Sequence, residues 1–112
     1  MSKYTVTLSG DGSTKVCEID RRRADSNNWQ GTAFISGTFG SGTVKLQFSP
    51  DGGTTKFDSK DWSGTAISTT ANAMFVTQPM GSGDKLTDFI SVYATITGST
   101  NPSVSVSLFD NR

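Results

Sequence analysis

Between two turn segments, Gly40-Ser41-Gly42 and Pro50-Asp51-Gly52-Gly53, the chain reads Thr43-Val44-Lys45-Leu46-Gln47-Phe48-Ser49. Val44, Leu46 and Phe48 alternate with Lys45 and Gln47, the period of two that sends one face of a β-strand into a core and the other into water. A helix would scatter those three apolar residues around its circumference. The reversal after Ser49 is equally constrained: Pro50 fixes φ, Asp51 caps nearby backbone N–H groups, and Gly52 and Gly53 tolerate positive φ. A short strand over residues 54–58 is expected to follow.

The same grammar recurs along the chain. Tyr4, Val6 and Leu8 alternate with Thr5 and Thr7, and residues 9–13 supply a turn into a second strand over 14–19, which reads as a hairpin. Residues 20–28 are polar and lack apolar periodicity, as a loop would. Residues 30–39 return to strand character, with Ala33, Ile35 or Phe34, and Phe39 facing inward. Residues 64–70 and 73–78 form one bulged strand or a hairpin, and 79–84 a glycine-rich loop. Ile90, Val92, Ala94 and Ile96 share one face, as do Val104, Val106 and Leu108 beyond the turn at 98–102, so these last two strands read as a second hairpin. Seven to nine short antiparallel strands about ten residues apart, with no α-crossover, imply an all-β fold: a β-sandwich, jelly-roll or Ig-like, formed by residues 1–112 as a single domain.

Composition agrees and adds exclusions. Ser and Thr make up more than a quarter of the 112 residues, with twelve Gly, and the hydrophobic fraction is only 33%. Seven Phe, two Trp and two Tyr point to an aromatic-weighted core. The formal net charge is zero, which gives no reason to expect nucleic acid or an anionic membrane as partner. No stretch approaches the length of a membrane span, and the start Met1-Ser2-Lys3-Tyr4 lacks a signal-peptide core, so cytoplasmic synthesis is expected. One cysteine, Cys17, excludes an intrachain disulfide.

Catalytic chemistry has few carriers here. Histidine is absent, which removes the usual general base and the commonest metal ligand. Cys17, in a strand and without a partner thiol, reads as a small core residue. Asp11, Asp51, Asp84 and Asp110 lie beside Gly, Pro or Asn, where carboxylates cap turns. Asp58 and Asp61 lack the spacing of a calcium loop, and Gly81-Ser82-Gly83-Asp84-Lys85 lacks that of a phosphate loop. No metal, cofactor or enzymatic activity is therefore expected. The basic cluster Arg21-Arg22-Arg23, flanked by Asp20 and Asp25, is a candidate protein contact, and Trp29 joins it because interfaces enrich Trp and Arg. Trp29 and Trp62 both have polar neighbours; core filling, an interface and sugar stacking stay open for each.

Residues 37–53, with a glycine turn leading to Thr43-Val44-Lys45-Leu46-Gln47 and then Ser49-Pro50-Asp51-Gly52-Gly53, resemble a pattern common in small tailed-phage virion proteins. Such segments often carry Trp soon after the double glycine, where this chain has Phe57. The resemblance implies a capsid decoration, or cement, protein on the exterior of the virion. It would bind the major capsid protein as a homotrimer on local three-fold axes, reaching it through residues 20–30 or the N-terminal strand. A tail or baseplate component shares every composition argument. A carbohydrate-binding module instead requires Trp29 and Trp62 coplanar and exposed on one face.

Overall fold

The computed structural model describes residues 2–20, 29–78 and 89–110. Among these residues there are nine strands: β1 (Lys3–Leu8), β2 (Gly12–Asp20), β3 (Gly31–Thr38), β4 (Thr43–Ser49), β5 (Phe57–Asp58), β6 (Ser68–Thr69), β7 (Ala73–Val76), β8 (Phe89–Thr97) and β9 (Ser103–Asp110). They form two antiparallel sheets, one ordered β1-β9-β3-β7, the other β2-β8-β4-β5 with β6 also paired to β4. If β5 and β6 count as one broken strand, the order is first, eighth, third, sixth in one sheet and second, seventh, fourth, fifth in the other. That interleaving is a jelly roll, and it settles the choice against the Ig-like alternative.

The core lies between the sheets. Leu8, Ile19, Ile35, Val44, Leu46, Ile67, Val92, Ile96, Val104, Val106 and Leu108 are all essentially buried. Expected alternations hold in β4, β8 and β9, and Cys17 is buried in β2. A bulge between Lys15 and Cys17 lets Val16 and Cys17 both face inward. The core is not aromatic-weighted as composition suggested. Only Trp29 and Phe39 are buried rings, with Tyr4, Phe48 and Phe75 packed at its margin. β-branched and Leu side chains from the two inner faces fill the narrow gap between sheets, and several rings are left outside.

Three local pairings inferred from the sequence are absent. β1 and β2 are not a hairpin, nor are β8 and β9, and residues 64–78 are neither a bulged strand nor a hairpin, because β6 and β7 belong to different sheets. Residues 54–58 yield only the two-residue β5, which does pair with β4 across the 50–53 reversal. The reason lies in the connections. Sheets pack about 10 Å apart, a gap that three extended residues span, so a tight turn serves equally as a hairpin or as a corner between sheets.

The corners meet at one end of the sandwich. The Asp11 carboxylate accepts hydrogen bonds from the N–H of Gly98 (3.1 Å), the N–H of Ser99 (3.0 Å) and the Ser99 hydroxyl, tying the β1–β2 corner to the β8–β9 corner. The Ser99 side chain, then its backbone, holds the Asp11 carboxyl below its usual pKa. Gly37, with φ of 134°, lets the end of β3 lie close against β9, since a Cβ there would stand 2.2 Å from the Ser103 carbonyl oxygen.

Candidate functional site

The two outer sheet faces differ in chemistry. On the β2-β8-β4-β5 sheet, outward polar groups satisfy one another. Ser13 is hydrogen-bonded to Thr95 (2.7 Å), the Thr95 hydroxyl donates to Gln47 Oε1 (2.8 Å), and Gln47 Nε2 donates to Asp58 (2.9 Å). Lys45 stands 4.0 Å from Asp58. These contacts cross the sheet from β2 to β5, and the sheet's exposed large apolar side chains among the described residues are Phe57 and Phe89.

The outer face of β1-β9-β3-β7 is apolar toward its β7 end. Register places Met74 opposite Phe34, and Val76 opposite Thr32, whose other neighbour is Phe109. Phe34 and Phe109 meet edge to face with centroids 5.3 Å apart, and the Lys3 ammonium lies 5.5 Å above the Phe109 ring. Beyond β7, Trp62 lines an open depression with Asp61, Ser63, Met74, Phe75 and Val76. Trp62 is 62% exposed, Met74 61% and Phe34 42%. Three of the large apolar side chains exposed among the described residues thus fall on one face.

Trp62 is presented by a loop with its own fastening. Asp61 Oδ1 accepts from the Ser63 hydroxyl (2.7 Å), the Ser63 N–H (2.9 Å) and the Thr65 N–H (3.1 Å). The loop joins β7 through the Gln78 N–H, which donates to the Lys60 carbonyl at 2.9 Å. The Ser63 hydroxyl, followed by the Thr65 N–H, holds the Asp61 carboxyl below its usual pKa. Asp61 is a turn residue, and Asp58 belongs to the polar chain on the other sheet. Among the described residues no three His, Cys, Asp or Glu side chains come together as metal ligands would.

The sequence candidates fare unequally. Arg21, Arg22 and Arg23 lie outside the described residues, as does the loop from Gly81 to Lys85. Trp29 is fully buried, stacked edge-on to Phe48 at 6.0 Å, so it cannot act as a surface contact of the folded chain. Its burial also removes the paired-tryptophan platform of a carbohydrate module. Phe34, Met74 and Phe109 were missed. The pattern around 33–35 allowed either Phe34 or Ile35 inside, and only the register with β9 and β7 shows that Ile35 took that place.

No protein-family model matches the chain, and no curated protein sequence does. Its fold is similar to that of PirA, with a TM-score of 0.56 at 11% identity over 97% of this chain and 93% of PirA. It is similar also to the SPBc2 prophage-derived protein YomS, with a TM-score of 0.51 at 12% identity over 98% of this chain and 94% of YomS. At such identities the likeness is one of fold.

Proposed function

We propose that this chain is a structural protein of a phage particle, a capsid decoration protein that binds the exterior of the head lattice and stabilises it. The observation that carries this reading is the exposed Trp62, Met74 and Phe34, with Phe109 against Phe34, on one face of a sandwich whose opposite face carries a hydrogen-bonded polar chain. Apolar residues clustered on a rigid sheet exterior serve recognition of another protein surface, where aromatic anchors supply most of the binding energy. Binding is the whole function, with no catalytic step. The virion-protein resemblance of residues 37–53 supports the phage assignment, and the fold shared with a prophage-derived protein is consistent with it.

On this reading the major capsid protein covers the Trp62 face, and Arg21, Arg22 and Arg23 add charged contacts to that protein. A ligand that binds only the assembled lattice raises the free energy needed to rupture it. The test is co-sedimentation of the protein with capsids that lack it, together with shell melting. Saturation at a stoichiometry set by the lattice, with a stabilised shell, is expected. Binding to isolated tails in place of heads would transfer the role to a tail or baseplate component.

A further inference from the structure

Among the described residues the β1 edge of the β1-β9-β3-β7 sheet is unpaired. Sheet edges are normally blunted by shortness, bulges or charge. β2, an edge of the other sheet, has its bulge at Val16 and an exposed Lys15–Glu18 ion pair. β5 and β6 are two residues each, and the β7 edge is occupied beyond Val76 by the Gln78–Lys60 bond. β1 runs six residues in unbroken register with β9 and has no neighbour on its other side among the described residues.

Which groups face that edge follows from one bond. The Asp110 N–H donates to the Ser2 carbonyl at 3.0 Å. In an antiparallel ladder each residue turns both backbone groups the same way, and successive residues alternate. Given the register Tyr4↔Leu108 and Val6↔Val106, the backbones of Tyr4, Val6 and Leu8 therefore face β9. Those of Lys3, Thr5 and Thr7 face outward with both N–H and C=O.

We propose that a second copy of this chain occupies this edge, the two β1 strands pairing antiparallel about a two-fold axis at Thr5. For Tyr4, Val6 and Leu8 of both copies to stay on the core side, opposed residue numbers must sum to an even value. Hydrogen bonds form only between residues whose backbones face the edge. Thr5 opposite Thr5, with Lys3 opposite Thr7, meets both conditions and uses every outward group of the strand. Moving the axis to Val6 leaves Lys3 opposite Ser9, outside the strand.

Side chains suit the pairing. Tyr4 and Val6 face inward and pack on the core, yet each is only half-buried, and the pairing sets the Tyr4 of one copy beside the Val6 of the other. No like charges are opposed, because Lys3 meets Thr7 and its ammonium leans over the Phe109 ring on the outer face. The pairing is isologous and closes at two copies, replacing the three-fold arrangement that resemblance alone implies.

Light scattering on the intact chain is expected to give the mass of two copies. Opposed residues of a hydrogen-bonded pair have Cα atoms about 5.5 Å apart, within disulfide range. Thr5→Cys should thus give a covalent dimer under mild oxidation, against little background from the buried Cys17. Lys3→Cys and Thr7→Cys should cross-link when mixed and not when alone. Thr5→Pro removes an edge-facing donor and should leave a monomer with an unchanged β-type circular dichroism spectrum. A monomer at every concentration, a trimer, or a dimer in which Thr5→Cys does not cross-link would each overturn the proposal. So would a monomer that binds capsids and loses them on Thr5→Pro, which would place a lattice-protein strand on the edge instead.

Discussion

Replacing Trp62 by alanine separates recognition from folding. The ring is 62% exposed, and its loop is fastened by Asp61 backbone and hydroxyl bonds that do not involve the indole. A buried aromatic side chain removes roughly 150–250 Å² from water, so about 100–150 Å² of Trp62 is available to a partner. At about 25 cal/mol per Å², covering it contributes about 3 kcal/mol. Ordering losses at an interface reduce this to about 2 kcal/mol, or roughly a 30-fold weaker Kd for Trp62→Ala. The assay is a co-sedimentation titration against capsids lacking the protein, read beside a thermal melt of the free variant. Gln47→Ala, on the opposite outer face, is the control and should bind as the parent does. Parental affinity in Trp62→Ala with an unchanged melt would refute the assignment of this face to the capsid.

Ser59→Ala should leave stability unchanged or raise it by about 1 kcal/mol, because the Ser59 hydroxyl is buried without a hydrogen-bond partner among the described residues. A clear loss in urea unfolding would show that the hydroxyl is satisfied. Gly37→Ala should cost about 3 kcal/mol or more, combining the strain of a φ of 134° with the approach to the Ser103 carbonyl; a melting temperature within a degree or two of the parent would contradict that account. Asp11, Asp51 and Asp61 have folded-state pKa values below the ordinary 3.8, for Asp51 chiefly because the Thr55 N–H donates to its carboxylate. A depressed folded value contributes stability above the unfolded pKa and loses it as pH falls through the folded one. Melting temperature should therefore hold from pH 7 to about 5 and fall below about pH 4, less steeply in Asp11→Asn, and a melt constant down to pH 2 would remove the role given to these carboxylates.

Strand positions and inner faces were largely legible because alternation is a local property. Val44, Leu46, Val92, Ala94, Ile96, Val104, Val106 and Leu108 are in the core where their spacing puts them. Apart from the β4–β5 reversal, strand partners were not legible. Residues 9–11 carry turn chemistry whether the chain folds back on its own sheet or crosses to the other one, and the bonds that decide it join Asp11 to Ser99, 88 residues away. The site was hidden by the same gap. Trp62 stood out among polar neighbours, but the face it shares with Met74, Phe34 and Phe109 exists only once β7, β3 and β9 lie side by side. Trp29, with equally polar neighbours, went the other way because the chain enters β3 there and the indole fills the space beside Phe48 and Gly31.

The exposed rings are not an overflow from a filled core. Phe75 packs at the core margin next to them, and the same sheet could have carried Thr and Ser outside β7 as it does outside β1, where Thr5 bonds Ser107 at 3.1 Å. With a formal net charge of zero the chain has little colloidal repulsion to keep an apolar face and an open strand edge apart from those of other molecules. Both features belong to the β1-β9-β3-β7 sheet, while the other sheet has a bulged, charged edge at β2 and a hydrogen-bonded polar chain across its exterior. Among the described residues Phe57 of β5 and Phe89 of β8 are exposed on the second sheet, but the clustered apolar face and the unpaired six-residue edge both belong to the first, the distribution expected if the first is covered in the working state.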